Sequence, residues 1–188
     1  MTAAKVILDL CGGTGSWSKP YADAGYTVII VDPSTSVGDV RWLQHTPCYG
    51  ILAAPPCTHF SVSGAQYWNE KDYDGRTLHD LSIVDACMRI IMVSKPTFWA
   101  LENPVGRLKR WLGPPQLIFN PCDYGDPYTK RTLLWGNFNT PIQNPVTPIR
   151  SCKQGSWIQK LGGKSAKTKR LRSVTPPGFA KAFFDANR

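Results

Sequence analysis

The chain has 188 residues, of which 42% are hydrophobic and 11% aromatic, enough for one packed domain and too apolar for a disordered segment. No window approaches the roughly 18 unbroken apolar residues of a membrane-spanning helix, and Met1 to Lys5 lacks the layout of a secretion signal. A soluble protein of the cytoplasm with no membrane association is expected, and the net charge of +9 suits a polyanionic partner.

In chain order, Lys5–Leu10 reads as a buried strand, and the glycine-rich Cys11–Gly15 follows it. A helix is expected from Ser16 to about Ala24, stopped by Gly25, and then a second strand over Thr27–Asp32. Tyr49–Ala53 is a third strand that runs into Pro55 and Pro56. Between Arg76 and Lys95, the spacing of Leu81, Val84, Met88 and Ile91 predicts the longest amphipathic helix. Thr97–Leu101, Gln116–Phe119 and Thr132–Trp135 read as further strands. Strands separated by helices indicate an α/β fold, with a mostly parallel sheet covered by helices on both faces.

After Gly136 the character changes. Residues 137–150 hold three prolines and read as loop. From Arg150 to Arg172 there are eight Lys or Arg and no acid, with Trp157 among them. Such a block fits a nucleic acid through counterion release; on its own it would equally be a solvated tail. The chain ends in Thr175-Pro176-Pro177-Gly178 and a short apolar helix, Phe179 to about Ala186.

Six cysteines are present, none in a Cys-x-x-Cys pair and none at zinc spacing from the three histidines, so no metal site is expected. Most should be buried free thiols.

Two places carry candidate chemistry. The loop of Asp9, Cys11, Gly12, Gly13 and Gly15 sits between a strand and a helix, where glycines let backbone approach a ligand. Asp32 ends the second strand about 20 residues later, where a carboxylate can accept from ribose hydroxyls. Asp39, in Gly38-Asp39-Val40, offers a second carboxylate for an adenine amino group. This spacing alone fits a nicotinamide dinucleotide as well as S-adenosylmethionine. The second place is Cys57, just past a strand end in the stiffened turn Ala54-Pro55-Pro56-Cys57. A thiol there is a nucleophile if its thiolate is accessible. Glu102-Asn103-Pro104 follows the fourth strand, so its carboxyl should project from the same sheet edge and pair with that thiol in acid/base work.

Taken in order, these motifs resemble the DNA cytosine-5 methyltransferase family. Asp9–Ser16 looks like its cofactor loop, Asp32 its ribose-binding acid, and Gly38-Asp39-Val40 its adenine-side motif. Pro55-Pro56-Cys57 with Phe60-Ser61 resembles the nucleophile loop, and Glu102-Asn103-Pro104 the Glu-Asn-Val motif. Asp123-Tyr124-Gly125 through Arg131 and Gly136 resembles the segment with the paired arginines, and Arg172, Thr175 and Pro176 the late motif. The chain departs from the pattern at Cys11-Gly12-Gly13, at Thr58 in place of glutamine, and in Tyr128-Thr129-Lys130-Arg131, where Lys130 stands for the first arginine.

The resemblance implies a Rossmann-like methyltransferase fold and S-adenosylmethionine as cofactor, with S-adenosylhomocysteine as product. The cofactor would be held by Asp9, Cys11, Gly12, Gly13, Gly15, Asp32, Pro33, Asp39, Val40 and Pro55. It also implies catalysis by Cys57, Glu102 and Arg131 on a flipped-out cytosine of duplex DNA. Lys130, Trp157, Lys164, Lys167, Lys169, Arg170 and Arg172 would contact the DNA.

The implied organisation is a catalytic and cofactor domain over 1–136, a reduced basic recognition segment over 137–171, and a C-terminal motif and helix over 172–188. That is a compact, phage-like pattern, at work in a host cytoplasm and open to a protein partner for target specificity. The rival readings are the same chemistry on RNA or a free nucleotide, a non-catalytic nucleic-acid binder, and a nicotinamide-dependent oxidoreductase. Retention of both Cys57 and Glu102 argues against the last two. His59, two residues from Cys57, is not expected to be its base, and Trp99, Trp111 and Trp135 read as core.

Overall fold

The computed structural model describes residues 5–151, 153, 155–161 and 165–188. Its strands are β1 (Val6–Leu10), β2 (Thr27–Val31), β3 (Gly50–Ala53), β4 (Phe98–Pro104), β5 (Leu117–Phe119) and β6 (Thr132–Asn137). They form one sheet in the order β2-β1-β3-β4-β6-β5. The neighbours from β2 to β4 pair in parallel, and β6 runs antiparallel to both β4 and β5. The helices are α1 (Lys19–Asp23), α2 (Trp68–Tyr73), α3 (Arg76–Ser94), α4 (Lys109–Leu112), α5 (Ala166–Ser173) and α6 (Pro177–Ala186). This is a Rossmann-like α/β architecture, as the sequence predicts.

Alternation along the strands sorts the core into two layers. Leu8, Leu10, Ile51 and Leu101 face α3 and pack with Val84, Cys87 and Ile90. Ile7, Leu52, Phe98 and Ala100 face the other way and pack with Tyr21 of α1 and Phe179 and Phe183 of α6. Phe119 and Phe179 stack at 3.9 Å between ring centroids, which seats α6 on the sheet.

Several elements differ from expectation. The helix expected from Ser16 is only Lys19–Asp23, because left-handed Gly15 and the turn after it use up the first residues. On α3 the buried stripe is Val84, Cys87, Ile90 and Ile91, so Leu81 and Met88 lie at its margin. β4 does not stop at Leu101; antiparallel pairing with β6 carries it through Glu102 and Asn103 to Pro104. Trp111 is 45% exposed and not core, whereas Trp135 is buried. Of the five described cysteines only Cys87 and Cys122 are buried. Among the described residues no helix is long and apolar enough to cross a membrane.

Candidate active site

Strand register builds the site. Leu10 lies level with Val31 and Ala53, and Ala53 lies level with Leu101. The residues that follow those levels, Cys11, Asp32, Ala54 and Glu102, therefore meet along one carboxyl edge of the sheet. Glu102 and Cys57 interact electrostatically there, and Lys130 and Arg172 act on the same thiol.

The first half of this edge is the glycine loop. Asp9 is 1% exposed, and its Oδ2 accepts a hydrogen bond from Ser18 Oγ at 2.5 Å. Its Oδ1 is buried without a partner. Burial lifts the carboxyl to about 6, against the Ser18 hydrogen bond that favours the ionised form. A Cβ on Gly12 would stand 2.3 Å from the Asp9 carboxyl carbon, so only glycine fits above this acid. Gly13, at φ +44°, lies beside Asp32, whose Oδ2 would be 3.7 Å from an added Cβ. Asp32 Oδ1 accepts from the Ser34 backbone N–H at 3.0 Å, which fixes the carboxylate next to the loop.

Asp39 caps a short turn over Val40–Trp42. Its carboxylate is engaged by Arg41, with the backbone N–H at 2.9 Å from Oδ1 and Nε at 3.0 Å from Oδ2, and this pairing holds it below the usual carboxylate range. The carboxylate that the sequence offers for an adenine amino group is thus already ion-paired with Arg41. Val40 is buried below it and Pro33 is exposed. Cys11, left-handed at φ 58°, engages Cys87 of α3 through its thiol.

The second half is the turn after β3. Pro55 is buried, and its carbonyl accepts from Asn103 Nδ2 at 3.0 Å. The Cys57 carbonyl accepts from the N–H groups of Phe60 and Ser61 at 3.1 and 2.9 Å. The next three carbonyls are held by cations or their backbone. Lys71 Nζ donates to Thr58 O at 3.0 Å, Arg107 Nε to His59 O at 3.0 Å, and Arg107 N–H to Phe60 O at 2.9 Å. Both cationic side chains are buried, and Arg107 also reaches Asp72 at 2.8 Å and Thr77 at 2.7 Å. Gly106 must be glycine here, since a Cβ would lie 2.0 Å from Phe60 O. His59 turns away toward α3, with Nδ1 3.2 Å from Asp80 Oδ2, and burial holds it below its ordinary range.

Burial pushes the Cys57 thiol above its ordinary range and Glu102 adds to this, while Lys130 and Arg172 pull it back. Burial likewise raises Glu102, opposed by Lys130. The carboxyl of Glu102 is thus shifted toward its neutral form beside a partly exposed thiol. The Arg131 side chain is exposed, with no hydrogen bond or ion pair to any described residue, and its carbonyl accepts from Val105 N–H at 3.4 Å; the cation acting on the pair is Lys130.

The basic segment is anchored to the same region. Thr129 N–H donates to Ser156 Oγ at 2.7 Å, Trp157 packs on Tyr128 at 5.4 Å, and Lys130 Nζ donates to Arg172 O at 2.8 Å. Within it Ser165 caps α5, which exposes Lys167, Lys169, Arg170 and Arg172. Lys164 lies outside the described residues. The sequence did not single out Ser18, Asn103, Lys71 or Arg107 as site residues; each acts through a partner distant in sequence, and only Asn103 sat within a quoted motif.

No family model matches the chain. The Type II methyltransferase M.DdeI of Desulfomicrobium norvegicum is 25% identical to it, over 69% of this chain and 39% of the relative. A crystal structure of a DNA modification methyltransferase encoded within an E. coli prophage superposes with a TM-score of 0.50 at 20% identity, covering 77% of this chain and 53% of that one. The chain thus spans about two fifths of the curated relative and about half of the solved structure. The distant relatives are DNA methyltransferases, and the structural likeness is one of fold.

Proposed function

We propose that this chain is an S-adenosylmethionine-dependent methyltransferase acting on carbon 5 of cytosine in DNA, with Cys57 as nucleophile. The observation that carries the reading is the pairing of Cys57 with the raised carboxyl of Glu102 at the edge that also holds the glycine loop. A methyltransferase relative over 69% of the chain supports the reaction class.

The loop residues fit the cofactor. The unpartnered Asp9 oxygen, the space that Gly12 alone leaves and the Asp32 carboxylate form a polar cradle in which Asp32 would hold the ribose. Gly13, Gly15 and the Cys11 backbone would line it, with Asp39, Val40, Pro33 and Pro55 at its margins. When bound, S-adenosylmethionine supplies an electrophilic methyl group to carbon 5.

The chain's own groups prepare the ring. Cys57 thiolate adds to carbon 6 while Glu102 delivers its proton to ring nitrogen 3, so the ring becomes a neutral enamine, nucleophilic at carbon 5. After methylation, loss of the carbon-5 proton expels the Cys57 thiolate and restores aromaticity, and Glu102 recovers the proton from nitrogen 3. Cysteine suits both steps because a thiolate is a good nucleophile and a good leaving group. Flipping is required because the reacting face is stacked in a duplex. Within this reading residues 1–136 with 172–188 form the catalytic unit and 137–171 the recognition segment, with Trp157 and α5 on the DNA.

Tritiated cofactor with cytosine-containing duplex tests the reading. Transfer of label to the DNA is expected, together with a covalent adduct on a 5-fluorocytosine duplex that Cys57→Ser does not form. Normal methylation by Cys57→Ser would overturn the nucleophile assignment. Label on RNA alone would move the substrate.

A further inference from the structure

The chain leaving the basic segment, just past α5, is tied to the α1 and α6 side of the sheet, where Thr175 N–H donates to Ser16 Oγ at 2.8 Å. A second cationic surface lies on the other side. Leu108 and Leu112, which flank the exposed part of α4, pack into the α3 layer, and so does Phe60 of the nucleophile turn. Between them Lys109 and Arg110 are exposed, and neither makes an ion pair with any described residue. The nearby acids are already engaged, Asp72 by Arg107 and Glu70 by Arg76.

Around these two cations the surface is aromatic. The Arg110 guanidinium lies 5.7 Å from the Trp68 ring. Trp111 is 45% exposed and packs edge-on against Phe60 at 5.9 Å. Tyr67 is 51% exposed. Unpaired cations interleaved with exposed aromatic rings match phosphates and the apolar faces of sugars or bases. Phe60 is three positions from Cys57, so the patch is continuous with the turn that carries the nucleophile.

We propose that Lys109, Arg110 and Trp111 form a second DNA-contacting wall, which holds the backbone on the side of the target base opposite α5. The inference rests on the DNA reading above and extends it. A strand whose base reaches Cys57 would cross between two cationic surfaces, one on each face of the sheet. Lys109 and Arg110 would neutralise two phosphates that α5 does not reach, and Trp111 would cover a sugar or base face without contributing to the salt dependence.

The test measures affinity of the full chain for a short fluorescein-labelled duplex as salt is raised between about 50 and 200 mM. The Lys109→Gln/Arg110→Gln protein is expected to lose about two from the log–log salt slope, since each phosphate contact contributes about 0.9. Trp111→Leu is expected to weaken binding at every salt concentration with the slope kept. A Lys167→Gln/Lys169→Gln/Arg170→Gln protein reports the α5 wall separately, and cofactor titration calorimetry shows that each variant is folded. An unchanged slope in the folded Lys109/Arg110 variant, with a reduced slope in the α5 variant, would overturn this inference alone and give the patch to a protein partner. Failure of the unmodified protein to bind duplex would remove the DNA reading and this wall with it.

Discussion

The buried amide of Asn103 donates to the Pro55 carbonyl at 3.0 Å, tying the strand that carries Glu102 to the turn that carries Cys57. Proline at 55 has no N–H of its own to spend on the sheet, and its carbonyl needs a donor in this buried place. Asn103 supplies it. The two groups proposed to react are therefore held by one hydrogen bond in addition to the β3–β4 pairing.

Asn103→Ala leaves that carbonyl unsatisfied, at a cost of about 1–3 kcal/mol of stability. Misplacing Cys57 against Glu102 should slow adduct formation on a 5-fluorocytosine duplex by up to about a hundredfold. Asn103→Asp is expected to do no better, because a carboxylate presents only acceptors to the Pro55 oxygen. Urea denaturation and single-turnover trapping measure the two effects; a variant that loses stability but traps at the normal rate would confine Asn103 to folding.

Lys130 is expected to shift the pH dependence. Both Cys57 and Glu102 are raised by burial, and Lys130 pulls both down. The adduct-forming rate should rise with pH as Cys57 ionises, with its limb above the ordinary thiol value of about 8.5. Lys130→Gln removes a cation that favours the thiolate, so the limb should move to higher pH and the rate near neutrality should fall. Arg172→Gln should move it in the same direction. A pH–rate profile in which the limb stays fixed in both variants would detach these cations from the thiol.

Much of this edge was legible in the sequence because strands ending in glycines, prolines or acids announce themselves locally. Asp9, Asp32, Cys57 and Glu102 each follow or close an apolar run, and a parallel sheet aligns such ends. The extension of β4 through Asn103 was not legible, since it depends on β6 returning antiparallel from nearly 30 residues away. The partner of Asp39 was hidden for a different reason: Arg41 is adjacent, but only the turn over Val40–Trp42 folds it back onto the carboxylate. Nothing in the local sequence marks Lys71 and Arg107, and only the fold buries them against the carbonyls of Thr58, His59 and Phe60.

Arg107 should therefore act as a positioning residue for the nucleophile turn. Arg107→Lys keeps a cation near Asp72 but cannot reproduce the planar fork that meets His59 O, Asp72 and Thr77 together. The expected result is a lower kcat with an unchanged KM for the cofactor. In Arg107→Ala, added guanidinium ion should restore part of the adduct-forming rate. A matched loss of stability and of cofactor binding, with no rescue, would make Arg107 a scaffold residue only.

Asp9 contributes to stability with a sign opposite to that of a salt-bridged acid. Its carboxyl is raised to about 6 in the fold, against about 3.9 in an unfolded chain. Between those values the folded state holds the extra proton, so stability falls as pH rises through this window and is lowest above it. The shift of about two units corresponds to roughly 3 kcal/mol of cost near neutrality. Asp9→Asn keeps the shape beneath Gly12 and an acceptor for Ser18, and it removes the charge. The ligand-free variant should melt at a higher temperature than the parent at pH 7 and at nearly the same temperature at pH 4. Cofactor affinity, measured by calorimetry at pH 7, should fall, because the unpartnered Oδ1 is the acceptor left open in the loop. A variant stabilised at neutral pH that binds the cofactor as tightly as the parent would leave Asp9 a buried acid with no ligand role, and would shift the polar half of the cradle onto Asp32.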